Sequence, residues 1–433
     1  MKISLFQGIL FGVFGLAALV GLFVFATHTS TTAKNPVGNV VIWGTLPKAG
    51  MQSTLTTAGQ TEASLKNVSY VEKSSTTLAS DLASAIATGR APDLILSSQE
   101  QLHSLSRFIA PIPFATLSAR IFTSAFVEEG GLFTAPGGAG YYGIPFLVDP
   151  LVLFSNRAIL SSSGIAKPPE TWEALTGLVP KVAQLTPSRQ IMRGLIALGT
   201  YDNVHDARGI LSALFLQTGV PISGYTAAGI LAADLGGAST GASPGQAVLG
   251  FYTQFADPSK VSYTWNASLP DSEQAFSAGD LALYLGYASE ARYLRAANPN
   301  LDFDVAPLPQ PATATTKSTY GLLYAFMIPR GAANPNGAYQ AAVLLTNSAE
   351  QATAASATGL APASLDQLST TPSDPIVAVA YTEALYASGW LSPAPGDTDT
   401  VFSGMIGDVI SGRLNLQSSL ANAERSLGSL FQQ

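Results

Sequence analysis

The segment that most constrains this chain is 142–175. It reads Tyr-Gly-Ile-Pro-Phe-Leu-Val-Asp-Pro-Leu-Val-Leu-Phe-Ser-Asn-Arg and, after a short loop, Gly-Ile-Ala-Lys-Pro-Pro-Glu-Thr-Trp-Glu-Ala-Leu. Leu151 to Phe154 form an unbroken apolar run, the pattern of a strand covered on both faces. Pro145 and Pro150 keep the backbone around Asp149 extended, since each fixes its own φ and steers its predecessor away from the helical region. Pro168-Pro169 stops the chain, and Thr171 is placed to cap a helix whose first turn carries Glu173. A strand buried on both faces needs a wide sheet with a layer on each side. A chain of 433 residues supplies that as two lobes rather than one core.

The flanking sequence supplies the layers. Residues 39–45 and 68–71 read as strands. Residues 77–89 read as a helix, with Leu78, Leu82 and Ile86 on one face and Gly89 as its stop. Residues 93–96 read as a third strand, and Ser98-Gln99-Glu100-Gln101 as a capping box opening the next helix. This alternation is that of an open α/β sheet, whose ligands lie beyond the carboxyl ends of the strands. It places Trp43, Thr45, Ser97 and Ser98 on one rim. Further on, 191–198 reads as a strand, 275–289 as a helix end, a Gly turn and a buried strand, Asn203 starts a helix, and Trp265-Asn266 sit in a loop. Residues 320–328 read as a strand. The C-terminal part is helical, with Phe402, Ile406, Val409 and Ile410 on one stripe.

Composition limits the partners. Only 11% of residues are charged, and the mean hydropathy is +0.27. With 21 basic against 28 acidic residues and no basic run longer than a pair, nucleic acid is not an expected partner. There is no cysteine, so disulfides, thiolate chemistry and a lipid-modified cysteine anchor are all excluded. Residues 8–26 are uncharged and almost wholly apolar, long enough as a helix to cross a hydrocarbon layer of about 30 Å. Lys2 favours a cytoplasmic N-terminus, and no clean Ala-x-Ala cleavage site follows. The expected layout is a cytoplasmic stub at 1–7, a transmembrane signal anchor at 8–27 and a tether at 28–37, with the folded part outside the cell membrane.

Catalytic and metal chemistry find little support. Gly138-Ala139-Gly140-Tyr141-Tyr142-Gly143 fits the spacing of a dinucleotide fingerprint, but Pro136 and Pro145 leave no room for the helix that must follow, so a Gly-rich loop is expected. The histidines are His28, His103 and His205. None has a histidine or cysteine partner at ligand spacing, so neither a metal nor a cofactor is expected. Paired carboxylates serve exported glycosidases. Here Glu128-Glu129 read as solvated, and Asp302 with Asp304 as anchors of a crossing segment. The better signal is aromatic: Trp43, Trp265, Tyr287, Tyr320 and Tyr324 lie at segment ends. Flat rings suit sugar faces, and nearby amide and hydroxyl groups suit a neutral polar ligand.

Taken in order, Tyr142-Gly143-Ile144-Pro145, the Asp149-Pro150 crossing, Pro168-Pro169-Glu170-Thr171-Trp172, the element from Phe276 through Gly279-Asp280 to Ser289, and the return at 298–309 resemble extracellular solute-binding proteins of ABC importers, of the maltose-binding type. The resemblance spans roughly 39–427 and lies in the order of these elements. It implies an α/β, two-lobe, periplasmic-binding-protein-like fold, with lobe one from 38–148 plus 303–350 and lobe two from 149–302 plus 351–433. It implies a hinge at Pro145, Pro150, Phe303 and Pro307. The expected ligand residues are Trp43, Thr45, Ser97, Ser98, Asp149, Asn203, Trp265, Asn266, Tyr287, Ser289, Tyr320 and Tyr324. The implied function is that of a non-enzymatic monomer that captures a small ligand, a carbohydrate first, and presents it to an importer permease. An exported carbohydrate-active hydrolase and a surface recognition domain without a transporter are the alternatives.

Overall fold

The computed structural model describes residues 36–237 and 243–432. The expected anchor at 8–27 and most of the 28–37 tether lie outside the described residues. Among the described residues no helix is long and apolar enough to cross a membrane. Val37, at the end of the expected tether, is already buried in the core.

The segment that dominates the sequence is a single strand, Gly143–Asn156, buried at every one of its 14 residues. Its first part, as far as Pro150, runs antiparallel to Thr319–Met327. From Leu151 it pairs instead with Leu281–Tyr287, and its end also pairs with Phe303–Ala306 on the other edge. Both prolines sit where the ladder asks nothing of an N–H. Pro145 faces Ala325 beside a register shift at Tyr324/Ala325, and Pro150 is the last residue before the partner changes. Bulges and such junctions are where a sheet tolerates proline.

This strand divides the sheet into two halves. On one side lie Thr319–Met327, Leu94–Ser98, Val40–Gly44 and Val68–Glu72, and on the other Leu281–Tyr287, Ile191–Ile196 and Gln184–Leu185. Val40–Gly44 is parallel to both Val68–Glu72 and Leu94–Ser98, as expected for strands joined by helical crossovers. One buried apolar cluster runs through both halves. The expected strands at 39–45, 68–71, 93–96, 191–198 and 320–328 are present with small shifts of boundary, and Thr171 caps the Trp172–Val182 helix by accepting from Ala174 N at 3.1 Å.

Residues 48–61, which lack an apolar stripe, form the helix Lys48–Thr61. It buries Met51, Thr54, Leu55, Ala58 and Gly59 and packs against Ser348–Thr358, another helix of small residues. Short side chains let the two backbones approach, and Thr61 Oγ1 donates to Glu350 Oε1 at 2.8 Å across the contact.

The lobe boundaries differ from the expected ones. Phe303–Ala306 belongs to the second half, where Phe303 packs on Phe154 and Phe276. Phe303 therefore lies inside one lobe, and the chain stays bonded to that lobe as far as Ala312. Ser348–Thr358 and Ala361–Pro362 belong to the first half, the latter paired with Val148 and Leu147. The second half is then completed by Pro395–Ile410 and Leu416–Leu430, which pack on Pro244–Thr253. Hydrophobic pattern marks the elements, but an Ala-rich helix carries no mark of which half will cover it.

Asp93 holds the first half at its edge. Its two carboxylate oxygens accept from Val41 N at 3.0 Å and Asn334 N at 2.9 Å, and the side chain is buried. Asp93→Ala is expected to leave both N–H groups without an acceptor and to cost about 2 kcal/mol or more, read as a lower urea midpoint with unchanged m value.

Candidate ligand-binding site

The two halves meet over a polar seam whose centre is Glu100. The sequence around it suggests only a helix cap, but Ser98 makes no side-chain cap and the next three residues form a single 3₁₀ turn. Gln99, Glu100 and Gln101 are all buried, each for a specific bond. Gln99 donates to Gly321 O and accepts from Leu323 N, both at 2.7 Å, and so copies a missing strand neighbour. Gln101 bonds Ser97 Oγ and Ser75 O. Glu100 receives Arg208 in a two-pronged pair, Nε to Oε1 and Nη2 to Oε2, both 2.9 Å, and the Tyr320 hydroxyl at 2.6 Å.

Arg208 comes from the other half, in the first turn of Ala207–Gln217. Its Nη1 donates to Asp399 Oδ2 at 2.6 Å, and Tyr201 donates to Asp399 Oδ1 at 2.6 Å. Glu100–Arg208–Asp399 is thus a chain of charge across the seam. Tyr287, at the end of the Leu281–Tyr287 strand, packs against the same helix, its hydroxyl so close to Gly209 that a Cβ there would come within 2.7 Å of it. Asp149, on the shared strand, accepts from Ser289 N at 3.1 Å and Ser289 Oγ at 2.6 Å. Glu290 accepts from Tyr287 N at 2.7 Å and from Tyr284 Oη.

Beside this floor is a cavity of about 520 Å³, within the range of small-ligand sites. Leu132, Thr134 and Pro136 line it from the first half, and Leu216, Tyr225 and Trp390 from the second. Gly389 joins cavity to floor, since its missing side chain leaves room for Glu129 Oε1 and Gln99 Nε2. A second cavity of about 450 Å³ lies within the second half between Trp172, Leu214 and Phe251. The amide of Gln217 at its edge is already used by Trp172 Nε1, Pro309 O and Ser318 O. The seam is the better candidate, because there a polar floor and surfaces from both halves converge.

The expected site residues divide accordingly. Asp149, Tyr287, Ser289, Tyr320 and Tyr324 gather around Glu100 and Arg208. Tyr320 is wholly buried and serves Glu100 rather than open space. Trp43 lies on the rim under Lys73, whose Nζ is 4.0 Å from the ring centre, and Thr45 is partly exposed beside it. Ser97 is buried and tied to Gln101; Ser98 is also buried. Trp265 is a correction: it is 1% exposed, packed on Gly194 inside the second half. Asn203 and Asn266 are a second correction, because both are used in folding a loop. Asn203 Nδ2 donates to Asn266 O and Leu269 O at 3.0 Å, and Asn266 Oδ1 accepts from Ser268. Glu129 corrects the reading of a solvated acid pair, being buried with neither oxygen hydrogen-bonded.

Two lobes sharing one strand, with a polar, aromatic-walled seam between them, define a ligand-binding protein of the periplasmic-binding-protein-like fold. The chain belongs to the bacterial extracellular solute-binding protein family, whose pattern matches residues 60–378. No protein of curated function matches it by sequence. Among solved structures, a cyclo/maltodextrin-binding protein complexed with maltotetraose is similar at 15% identity, covering 93% of this chain and 99% of that one, with a TM-score of 0.72. A cyclic α-maltosyl-1,6-maltose binding protein from Arthrobacter globiformis has 15% identity, 91% and 99% coverage and a TM-score of 0.73. The maltose/maltodextrin-binding domain MalE from Bdellovibrio bacteriovorus, bound to maltotriose, has 17% identity, 91% and 100% coverage and a TM-score of 0.65. At these identities the likeness is one of fold. None of these comparisons points to an enzyme family.

Removing one partner of a buried ion pair leaves the other uncompensated, at roughly 3–5 kcal/mol. Arg208→Met is expected to destabilise on that scale. The double variant with Glu100→Gln should cost less than the two single changes added together, which a double-mutant cycle of urea unfolding measures.

The pH dependence follows from the other buried acids. Burial raises the Asp149 carboxyl to about 7, against the pull of the Ser289 bonds, and raises Glu383, which accepts from Leu308 N, also to about 7. Burial alone pushes Glu129 well up. Each native acid holds its proton more tightly than its unfolded counterpart at 3.8 or 4.5. The contribution of Asp149 and Glu383 to stability is complete below those values and is lost as pH rises through about 7. Tm is expected to fall between pH 5 and pH 8, and Glu383→Gln to flatten that slope in differential scanning calorimetry.

Proposed function

We propose that this protein captures a carbohydrate, an oligosaccharide before a single sugar, in the seam between its halves and hands it to an ABC importer. The observation that carries the reading is the seam itself. A polar floor of Glu100, Arg208, Asp149 and Ser289 adjoins a cavity bordered by the exposed Tyr225 ring, and a ring face beside hydrogen-bonding groups is what a sugar needs. Family membership supports the extracytoplasmic location and the permease partner, and neighbours bound to maltotetraose and maltotriose support the ligand class. The apolar N-terminal segment would hold the monomeric domain at the outer face of the membrane. The ligand acts by preferring the closed arrangement of the halves, and it shifts their balance only by that preference.

The test is thermal unfolding against maltose, maltotriose, maltotetraose, mannobiose and mannotriose, with amino acids and polyamines beside them. At a hundred times Kd a ligand adds about 2.7 kcal/mol of stability. A rise in Tm with one saccharide class, reduced affinity by at least about tenfold in Tyr287→Ala, and no product on incubation are expected. Released product would identify a hydrolase instead. A silent saccharide panel would sink the carbohydrate reading.

A further inference from the structure

Among the described residues, two that are not glycine have a positive φ, Arg189 and Ile222. Arg189 stands in an exposed turn, where its N–H donates to Thr186 O at 2.8 Å. Ile222 is a different case. Its φ is 63°, a value that a β-branched side chain rarely takes, and that side chain is wholly buried. Ser223 N–H donates to Pro221 O at 2.7 Å, so Ile222 is the middle of a three-residue turn of the strained, positive-φ kind. Strain of this sort persists only where the surroundings impose it, and it gathers at binding elements. Here it is imposed by the burial of Ile222 and by the Ser223 hydroxyl, which donates to Leu391 O at 2.8 Å.

The turn opens a hairpin of Ile222–Tyr225 and Leu231–Asp234, a two-stranded sheet separate from the main one. A lone hairpin is marginally stable at best, so its ends must be held. Ser223 holds one end. Glu424 Oε2 holds the other, accepting from Leu235 N and Gly236 N at 3.1 Å each. Between these anchors Ser223, Gly224, Tyr225, Thr226, Ala227 and Gly229 all line the cavity of about 520 Å³. Tyr225 is 44% exposed, unlike the buried Trp390 on the same cavity. Burial of its hydroxyl, and then the nearby Tyr142 of the first half, raise its pKa. The ring therefore stands where the two halves face each other.

We infer that this hairpin makes the seam select longer saccharides: Tyr225 is the platform for a sugar ring beyond the one held at the polar floor, and the turn at Ile222 sets the angle of that platform. The inference rests on the carbohydrate reading above and adds to it the residues that determine chain length. A tyrosine ring offers an apolar face to the C–H side of a pyranose and keeps its hydroxyl for a polar partner. Because the turn is tied on both flanks, the ring is in place before a ligand arrives, and binding bears no cost of ordering it. Ile222 touches no ligand. It is a positioning residue acting through Tyr225.

The experiment is isothermal titration of the purified full-length chain with glucose, maltose, maltotriose and maltotetraose, and with mannose, mannobiose and mannotriose. Tyr225→Ala, Tyr225→Phe and Ile222→Gly are run beside the wild type, with circular dichroism to show that each is folded. The wild type is expected to bind the longest member of one series at least tenfold tighter than the shortest. Tyr225→Ala should remove most of that ratio, and Tyr225→Phe, which keeps the ring, should retain it. Ile222→Gly admits the same φ without strain but loosens the turn, and should reduce the ratio at least threefold. Lost packing alone would lower Tm and leave the ratio as it is. Tyr225 is an exposed side chain, so its variants decide the matter even where Ile222→Gly does not fold. Equal affinity for short and long members, or a ratio unchanged in Tyr225→Ala, overturns the inference and leaves the carbohydrate reading intact. A ratio unchanged in a folded Ile222→Gly overturns the positioning role. A wild type that binds none of these saccharides sinks both readings.

Discussion

Every backbone group of the Gly143–Asn156 strand must be satisfied away from water, and the rest of the molecule is arranged to do it. One strand cannot be covered by one lobe over 14 residues, so its first part takes partners from the first half and its second part from the other. The two lobes are consequently not independent bodies joined by a linker. They share a hydrogen-bond ladder, and Pro150 stands where that ladder changes hands.

The seam shows how a chain with 11% charged residues spends them. Glu100, Arg208 and Asp399 form a continuous run of opposite charges between halves, while Asp149 and Glu129 are buried close by, Glu129 with no donor to either oxygen. Such groups are poor stabilisers. A well-packed apolar seam would hold the halves together more firmly. A polar seam is suited instead to exchanging internal bonds for those of a ligand.

Much of the architecture is legible in the sequence, and the misses have specific causes. The strands were marked by apolar runs, the Trp172 helix by Thr171, and the turn before Leu281–Tyr287 by Gly279, whose φ of 85° favours glycine. Lys48–Thr61 carries no such mark because its partner is another small-residue helix, distant in sequence. Trp265 resembled a cleft aromatic since it lies in a loop, yet the loop folds back and buries it. Glu100 is hidden within a capping-box pattern, which is local, whereas its partners are 108 and 220 residues away. Glu129 sits beside a pair of glycines and so looked solvated, but Gly321 and Gly389 close over it.

The sequence by itself determined the class of fold, the identity and order of its strands, the two-part organisation and the position of the shared strand. These follow from local pattern: periodicity, prolines, glycines and caps act over a few residues. Only the tertiary structure decided which polar groups meet at the seam, which aromatics face open space, and to which half the small-residue helices belong. Those outcomes depend on contacts between distant segments, where a carboxylate's role is set by the cation or hydroxyl that arrives beside it rather than by its neighbours in the chain.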